Sequence, residues 1–172
     1  RGVRPLLMVS FWINHQVSGL QPHGYHFLNV LFHLFTSLFT FLIVRKVLSW
    51  AGEEGRRKEW LSAFAAGLFL LHPVQTESVA YVASRSENLS VLFFYGAFAL
   101  FLYRRSVSVS WLAALGVLAL FGAAATTKEH TVVLPALLLL TDYWWNPPFS
   151  FAGIRRNWRL YVPLALGTAG GL

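Results

Sequence analysis

The sequence predicts an all-α protein, a helical bundle that crosses a membrane several times. Three observations predict it. Of 172 residues, 56% are hydrophobic and 12% charged, against about 25% charged in soluble domains. Apolar runs approaching the roughly 20 residues a bilayer requires recur along the chain, separated by polar breaks. Aromatic residues make up 16% of the chain, a share that suits interfacial Trp and Tyr.

Residues 1–24 read as an amphipathic segment lying on the extracytoplasmic surface. Leu6, Leu7, Phe11 and Ile13 alternate there with Arg4, Ser10, His15 and Gln16, too polar to cross and apolar enough to rest in the interface. Gln21-Pro22-His23-Gly24 breaks it. Residues 25–172 read as a multi-spanning domain. The first span is 25–48, with His26, Asn29 and His33 on one helix face. Helix-packing hydrogen bonds are their commoner use in a membrane. A charged loop runs to Trp60. The second span, 61–82, contains Pro73, which kinks or ends it. The third, 88–103, is closed by Arg104-Arg105. The fourth is 109–125. The fifth, 130–145, is broken by Pro147-Pro148. The sixth, 160–172, is cut short. With no initiator Met and an end inside an apolar run, the chain reads as a fragment.

Alternating spans sort the basic residues. Arg45, Lys46, Arg56, Arg57, Lys58, Arg104, Arg105, Arg155, Arg156 and Arg159 fall on one side; Arg1, Arg4, Arg85 and Lys128 fall on the other. Ten against four makes the first side cytoplasmic. The net charge of +7 thus reports topology, and nucleic acid is not an expected partner. There is no cysteine, which excludes disulfides and thiolate metal sites. The histidines match no metal-binding spacing, and no metal or cofactor is expected.

The extracytoplasmic side then gathers the start of the chain, His72–Glu87 and Thr126–His130. Two stretches echo each other: Ser84-Arg85-Ser86-Glu87 and Thr126-Thr127-Lys128-Glu129. Each reads as a capping box opening an apolar helix. Each also adds a cation where the helix dipole is already positive, so the pair attracts an anion such as a phosphate. Plain caps with cations reaching into headgroups are the bland alternative. Glu77, Tyr81 and Arg85, spaced by four, read as one polar helical stripe, either functional or a structural salt bridge. His72 reads first as a helix end, and the sequon Asn88-Leu89-Ser90 as unmodified, since it opens a span. No P-loop, nucleophile elbow or dinucleotide fingerprint is present.

Further residues carry a resemblance. They are Arg4-Pro5-Leu6 with Ser10-Phe11; Gly24-Tyr25-His26 with Asn29-Val30-Leu31 and His33; and Leu71-His72-Pro73-Val74 with Glu77-Ser78-Val79-Ala80 and Arg85. Lys128-Glu129, Leu134-Pro135 and Asp142 complete the set. In this order and spacing the chain resembles the membrane core of the tetratricopeptide-repeat O-mannosyltransferases that act on cadherins, and their bacterial relatives, within the GT-C glycosyltransferase superfamily. The resemblance implies a GT-C-like fold and inverting transfer of mannose from a polyprenyl-phosphate donor to a protein hydroxyl. It places the reaction on the extracytoplasmic side of a bacterial inner membrane or the endoplasmic reticulum. The catalytic acid is then expected upstream of Arg1. Arg4, Arg85 and Lys128 match basic positions suited to the donor phosphate. His72, Glu77, Tyr81, Glu87, Glu129 and His130 fall around the same polar cavity. Expected partners are the lipid-linked donor, a protein acceptor and membrane lipids. The rival readings are a transporter or lipid-handling membrane protein, and a non-catalytic membrane anchor.

Overall fold

The computed structural model describes residues 4–104, 108–145 and 149–170, without the side chains of 169 and 170. Every regular element among them is helical. Pro5–Ser18 forms α1 and Pro22–Trp50 forms α2. Each starts on a proline, whose missing N–H leaves no bond unmade in a first helical turn. The 29 residues of α2 reach about 43 Å at 1.5 Å per residue. Among the described residues α2 is the one helix long and apolar enough to cross a membrane by itself. A turn with Gly52 and Gly55 at positive φ reverses the chain into α3, Gly55–Leu71, which packs along α2.

Pro73 ends α3, as the sequence allows. It drives His72 into extended backbone (φ −66°, ψ 128°) and has no N–H to continue the ladder. Residues 72–84 then fold as a 3-10 turn at Pro73–Gln75, the short helix α4 at Thr76–Ala80, and a second turn at Val82–Ser84. The expected span 61–82 is therefore helical only to Leu71. α5, Arg85–Leu102, runs back along α2, and α6, Trp111–Ala125, packs on α5. A 3-10 turn at Glu129–Val133 leads into α7, Leu134–Trp145, so the expected fifth span becomes α-helical four residues late. α8 is Ala152–Arg156, and α9 is Trp158–Gly170 with Pro163 inside it. Arg1, Arg105, Pro147, Pro148 and the last two residues lie outside the described residues.

The burial pattern departs from that of a water-soluble bundle: polar side chains share the interior with apolar ones, and many large apolar ones face outward. Buried positions include Asn29, His33, Thr36, Ser37, Ser62, Asn88, Ser90 and Thr141. Large apolar side chains such as Phe27, Leu38, Phe64, Leu68, Leu112, Leu115 and Leu166 are exposed. Small residues let the helices approach closely. Ser37 Oγ donates to the Ala66 carbonyl at 2.9 Å across α2 and α3. A Cβ on Gly116 would sit 2.7 Å from Leu100 Cδ2, across α6 and α5. An apolar core of Ala97, Phe101, Val117, Leu134, Leu138 and Leu164 fills the space among α5, α6, α7 and α9.

Alternating helix directions give the bundle two unlike ends. At one, α5 begins with Arg85. At the other, α7 ends near Asp142 with Arg45, Lys46, Arg56, Arg57, Lys58, Arg104, Arg155, Arg156 and Arg159. Six of the seven tryptophans, Trp50, Trp60, Trp111, Trp144, Trp145 and Trp158, are also there. Trp50 stacks on Trp145 at 5.0 Å, Lys46 lies 5.5 Å from the Trp50 ring centre, and Arg159 lies 4.8 Å from that of Trp111. Asp142 is fully buried and ion-paired with Arg104. It also accepts hydrogen bonds from Asn157 Nδ2 (2.7 Å) and the Tyr161 hydroxyl (2.6 Å). Asn157 Oδ1 in turn accepts from the Val109 N–H at 2.8 Å. This clasp joins α5, α7, α9 and the lead-in to α6. Removing one partner of a buried pair leaves the other charge uncompensated. Asp142→Ala is expected to destabilise the detergent-purified protein by about 3–5 kcal/mol in thermal or denaturant unfolding. Glu53→Ala, in an exposed pair with Arg57, should stay within about 0.5 kcal/mol.

Candidate functional site

At the other end, three stretches far apart in sequence meet. Arg4, at the N-terminus of α1, donates from one guanidinium nitrogen to both Glu129 carboxylate oxygens at 3.2 and 3.5 Å. Lys128 is ion-paired with Glu87 in the first turn of α5. The Glu129 carboxyl is held below the usual carboxylate range, first by a backbone N–H and then by Arg4. A depressed carboxyl keeps its contribution above its ordinary pKa and loses it as pH falls through the lower folded value, so this link is intact at neutral pH.

Arg85 occupies a different position from Arg4 and Lys128. It is fully buried, although it is the first residue of α5. Four of its five N–H groups are engaged. Nε donates to Asn29 Oδ1 at 3.0 Å, one terminal nitrogen to Asn14 Oδ1 at 2.7 Å and the Tyr25 carbonyl at 3.0 Å, and the other to the Ser10 carbonyl at 3.4 Å. Its guanidinium carbon lies 4.4 Å from the Phe11 ring centre and 5.4 Å from that of Tyr25. Asn29 Nδ2 also donates to the carbonyls of Val79 (3.2 Å) and Tyr81 (3.5 Å). The network thus binds α1, α2, α5 and the 72–84 segment. α1 approaches α2 closely enough only because position 24 is glycine: a Cβ there would lie 2.5 Å from Ser18 Cβ and 3.2 Å from Asn14 Nδ2.

The two expected capping boxes do not form. Ser84 precedes α5 without a side-chain cap. Thr126 and Thr127 belong to the end of α6, where their hydroxyls donate to the Ala123 carbonyl at 3.0 and 2.7 Å. Threonine hydroxyls readily bond back three or four residues in this way, which competes with capping the next helix. The Glu77–Tyr81–Arg85 stripe is also absent. α4 stops at Ala80, Tyr81 is extended (φ −85°, ψ 113°) and exposed, and Arg85 is buried. Glu77 and Tyr81 instead flank an open surface hollow. His72 is exposed and its Nδ1 accepts from the Val74 N–H at 3.1 Å, so it ends a helix as its bland reading had it. His130 is exposed.

A cavity of about 250 Å³ lies beneath residues 72–80, between α2, α3 and α5. His33, Gln75, Ser78, Glu87, Asn88 and Tyr95 supply its polar lining. Of the residues read from sequence as cavity-lining, Glu87 alone faces it. His33 Nε2 lies 3.1 Å from the Leu70 carbonyl and Asn88 Nδ2 donates to the Ser78 carbonyl at 2.7 Å, so both also hold the walls together. Among the described residues, no group of three or more histidine, aspartate or glutamate side chains is placed to share a metal ion.

Several known proteins are similar to this chain in sequence. The chain is 38% identical to protein O-mannosyl-transferase TMTC3 of Mus musculus over 98 residues, which are 57% of this chain and 10% of that protein. It is 32% identical to Tmtc1 of Drosophila melanogaster over 140 residues, 81% of this chain and 15% of that protein. It is 41% identical to human TMTC2 over 96 residues, 55% and 10%. The chain belongs to the TMTC protein O-mannosyl-transferase family. It spans between 10 and 15% of the length of these TMTC proteins. No family model and no solved structure matches it.

The Arg85 node makes a TMTC-family segment testable for stability first. Arg85→Ala strips the partners from two buried asparagines and opens a void, and should cost about 3–5 kcal/mol. Arg85→Lys should recover little, because a single ammonium does not reproduce the planar fork. Thermal unfolding of the purified full-length protein checks both.

Proposed function

We propose that this chain is part of the membrane domain of a protein O-mannosyl-transferase. Its Arg85 end faces the extracytoplasmic side, in the endoplasmic reticulum or a bacterial inner membrane. Here a protein hydroxyl takes mannose from a polyprenyl-phosphate donor. The observation that carries this reading is the convergence of Arg4 and Lys128 with the carboxylates Glu87 and Glu129, at the end opposite the basic cluster around Asp142. The family's names supply the reaction.

Several features support multiple crossings. Exposed apolar faces and buried polar ones suit a lipid surround. Basic residues and tryptophans at the Asp142 end suit a cytoplasmic interface. Outward-facing Met8, Trp12, Ile13 and Val17 suit an α1 lying in the opposite interface.

The chemistry follows from charge. The acceptor oxygen attacks the sugar's anomeric carbon, and the bond from that carbon to the phosphate oxygen breaks. The donor phosphodiester carries one negative charge; the leaving monoester carries about −1.5 to −2. Arg4 and Lys128, held by carboxylates until donor arrives, oppose that added charge. Arg85 contributes its field from beneath, since four of its five N–H groups are committed elsewhere. The carboxylate that receives the acceptor's proton is placed in sequence preceding Arg1, as the resemblance implies.

Lys128→Ala in the full-length protein should lower kcat/KM for the lipid-linked donor about ten- to a hundred-fold, since a charged hydrogen bond is worth about 1.5–3 kcal/mol. The variant should still purify as a folded protein. Unchanged turnover at limiting donor would remove Lys128 from the phosphate site. For topology, single cysteines at Glu54 and Ala83, both exposed positions, should react with an impermeant maleimide from opposite sides of sealed vesicles. Reaction from one side would end the alternating arrangement.

A further inference from the structure

The cavity beneath residues 72–80 holds hydrogen-bonding groups that the fold leaves unused. The Gln75 amide and the hydroxyls of Ser78 and Tyr95 all line it, and none bonds to a protein group among the described residues. Each of these groups can both donate and accept. Polar groups facing a recessed space are satisfied by whatever enters it. One carboxylate, Glu87, adds an acceptor to the lining, and the Phe69 ring adds an apolar wall. This lining is wrong for a lone ion, which needs one dominant sign of charge, and wrong for a lipid chain, which needs none. It matches a compact ring that carries hydroxyls around its rim and C–H groups on its faces. A volume of about 250 Å³ puts it at the small end of ligand pockets, a scale that suits a compact ring better than a long chain. Glu87 also holds Lys128, the cation assigned above to the donor phosphate. The cavity therefore begins where the phosphate would end.

We infer that this cavity is a pyranose subsite, in which Gln75, Ser78 and Tyr95 read the hydroxyls of the sugar carried by the lipid-linked donor. The origin of the ring rests on the donor reading above; occupancy by a pyranose does not. Gln75→Leu and Tyr95→Phe remove the reading groups while keeping the side-chain shape, and Ser78→Ala keeps the backbone carbonyl that Asn88 bonds. Two probes applied to the full-length protein in detergent separate the questions. Methyl α-mannoside, observed by saturation-transfer NMR, reports the ring alone. Sugar-free polyprenyl phosphate, used as an inhibitor of transfer, reports the phosphate alone. Each variant is expected to erase the glycoside's signal and raise KM for the mannose donor about tenfold, as loss of a hydrogen bond predicts. Inhibition by polyprenyl phosphate should stay within about twofold of the parent. Should polyprenyl phosphate fail to inhibit the parent while the variants still lose the glycoside, the donor reading falls and the pyranose subsite stands. An unchanged glycoside signal in variants that elute as the parent does would overturn the subsite, as would KM and the inhibition constant rising together.

Discussion

The guanidinium of Arg85 is fully buried, and its acceptors are three backbone or amide oxygens from α1 and α2 together with the Asn29 amide oxygen. No carboxylate touches it in the described residues. A buried cation satisfied only by neutral oxygens is stable when all of them are in place and costly when any is missing. α1, α2 and α5 therefore have to dock together, and the 72–84 segment follows because Asn29 reaches it with its remaining N–H groups. The fit at Gly24 belongs to the same constraint: without that close approach Asn14 would not reach the guanidinium.

The opposite end solves the same problem with the signs reversed. There a buried carboxylate, Asp142, is surrounded by one cation and two neutral donors. Between the two polar nodes α5, α6, α7 and α9 meet through an apolar core. Apolar contacts between helices set distance but give little directional preference in a lipid-like surround, whereas hydrogen bonds fix rotation and register. The two nodes thus determine which faces of α5, α7 and α9 meet. The position of Glu87, two residues beyond Arg85, is fixed by the first node, and with it the Lys128 pair and one wall of the cavity.

The helices and the break at Pro73 were legible because they depend on local rules: apolar run length, proline geometry and glycine turns. The gathering of Arg4, Glu87, Lys128 and Glu129 was legible from alternation alone. Asn29 and His33 do bridge elements, as expected of polar residues on a buried helix face, whereas His26 is exposed. What was not legible are partners chosen in three dimensions. Asn14 lies 71 residues from Arg85 and Asn29 lies 56, so a cation at a helix start read as reaching outward when it reaches inward. Thr126 and Thr127 matched a capping pattern, yet the same hydroxyls can close the preceding helix, and the sequence does not say which neighbour wins. The Asp142 clasp carried one usable signal, a lone acid at the end of an apolar helix with Arg104 available to neutralise it.

The distribution of tryptophan has an optical consequence. Indole emission dominates the intrinsic fluorescence of a protein, and here six of the seven indoles sit at the Asp142 end, with Trp12 on α1 the exception. Their stacking and cation contacts make the emission sensitive to the local arrangement of that end. Light from this segment therefore reports on one of its two surfaces. In the proposed topology, quenchers confined to a single leaflet would dim it almost completely or hardly at all, and events at the Arg85 end would pass nearly unseen unless they moved α1.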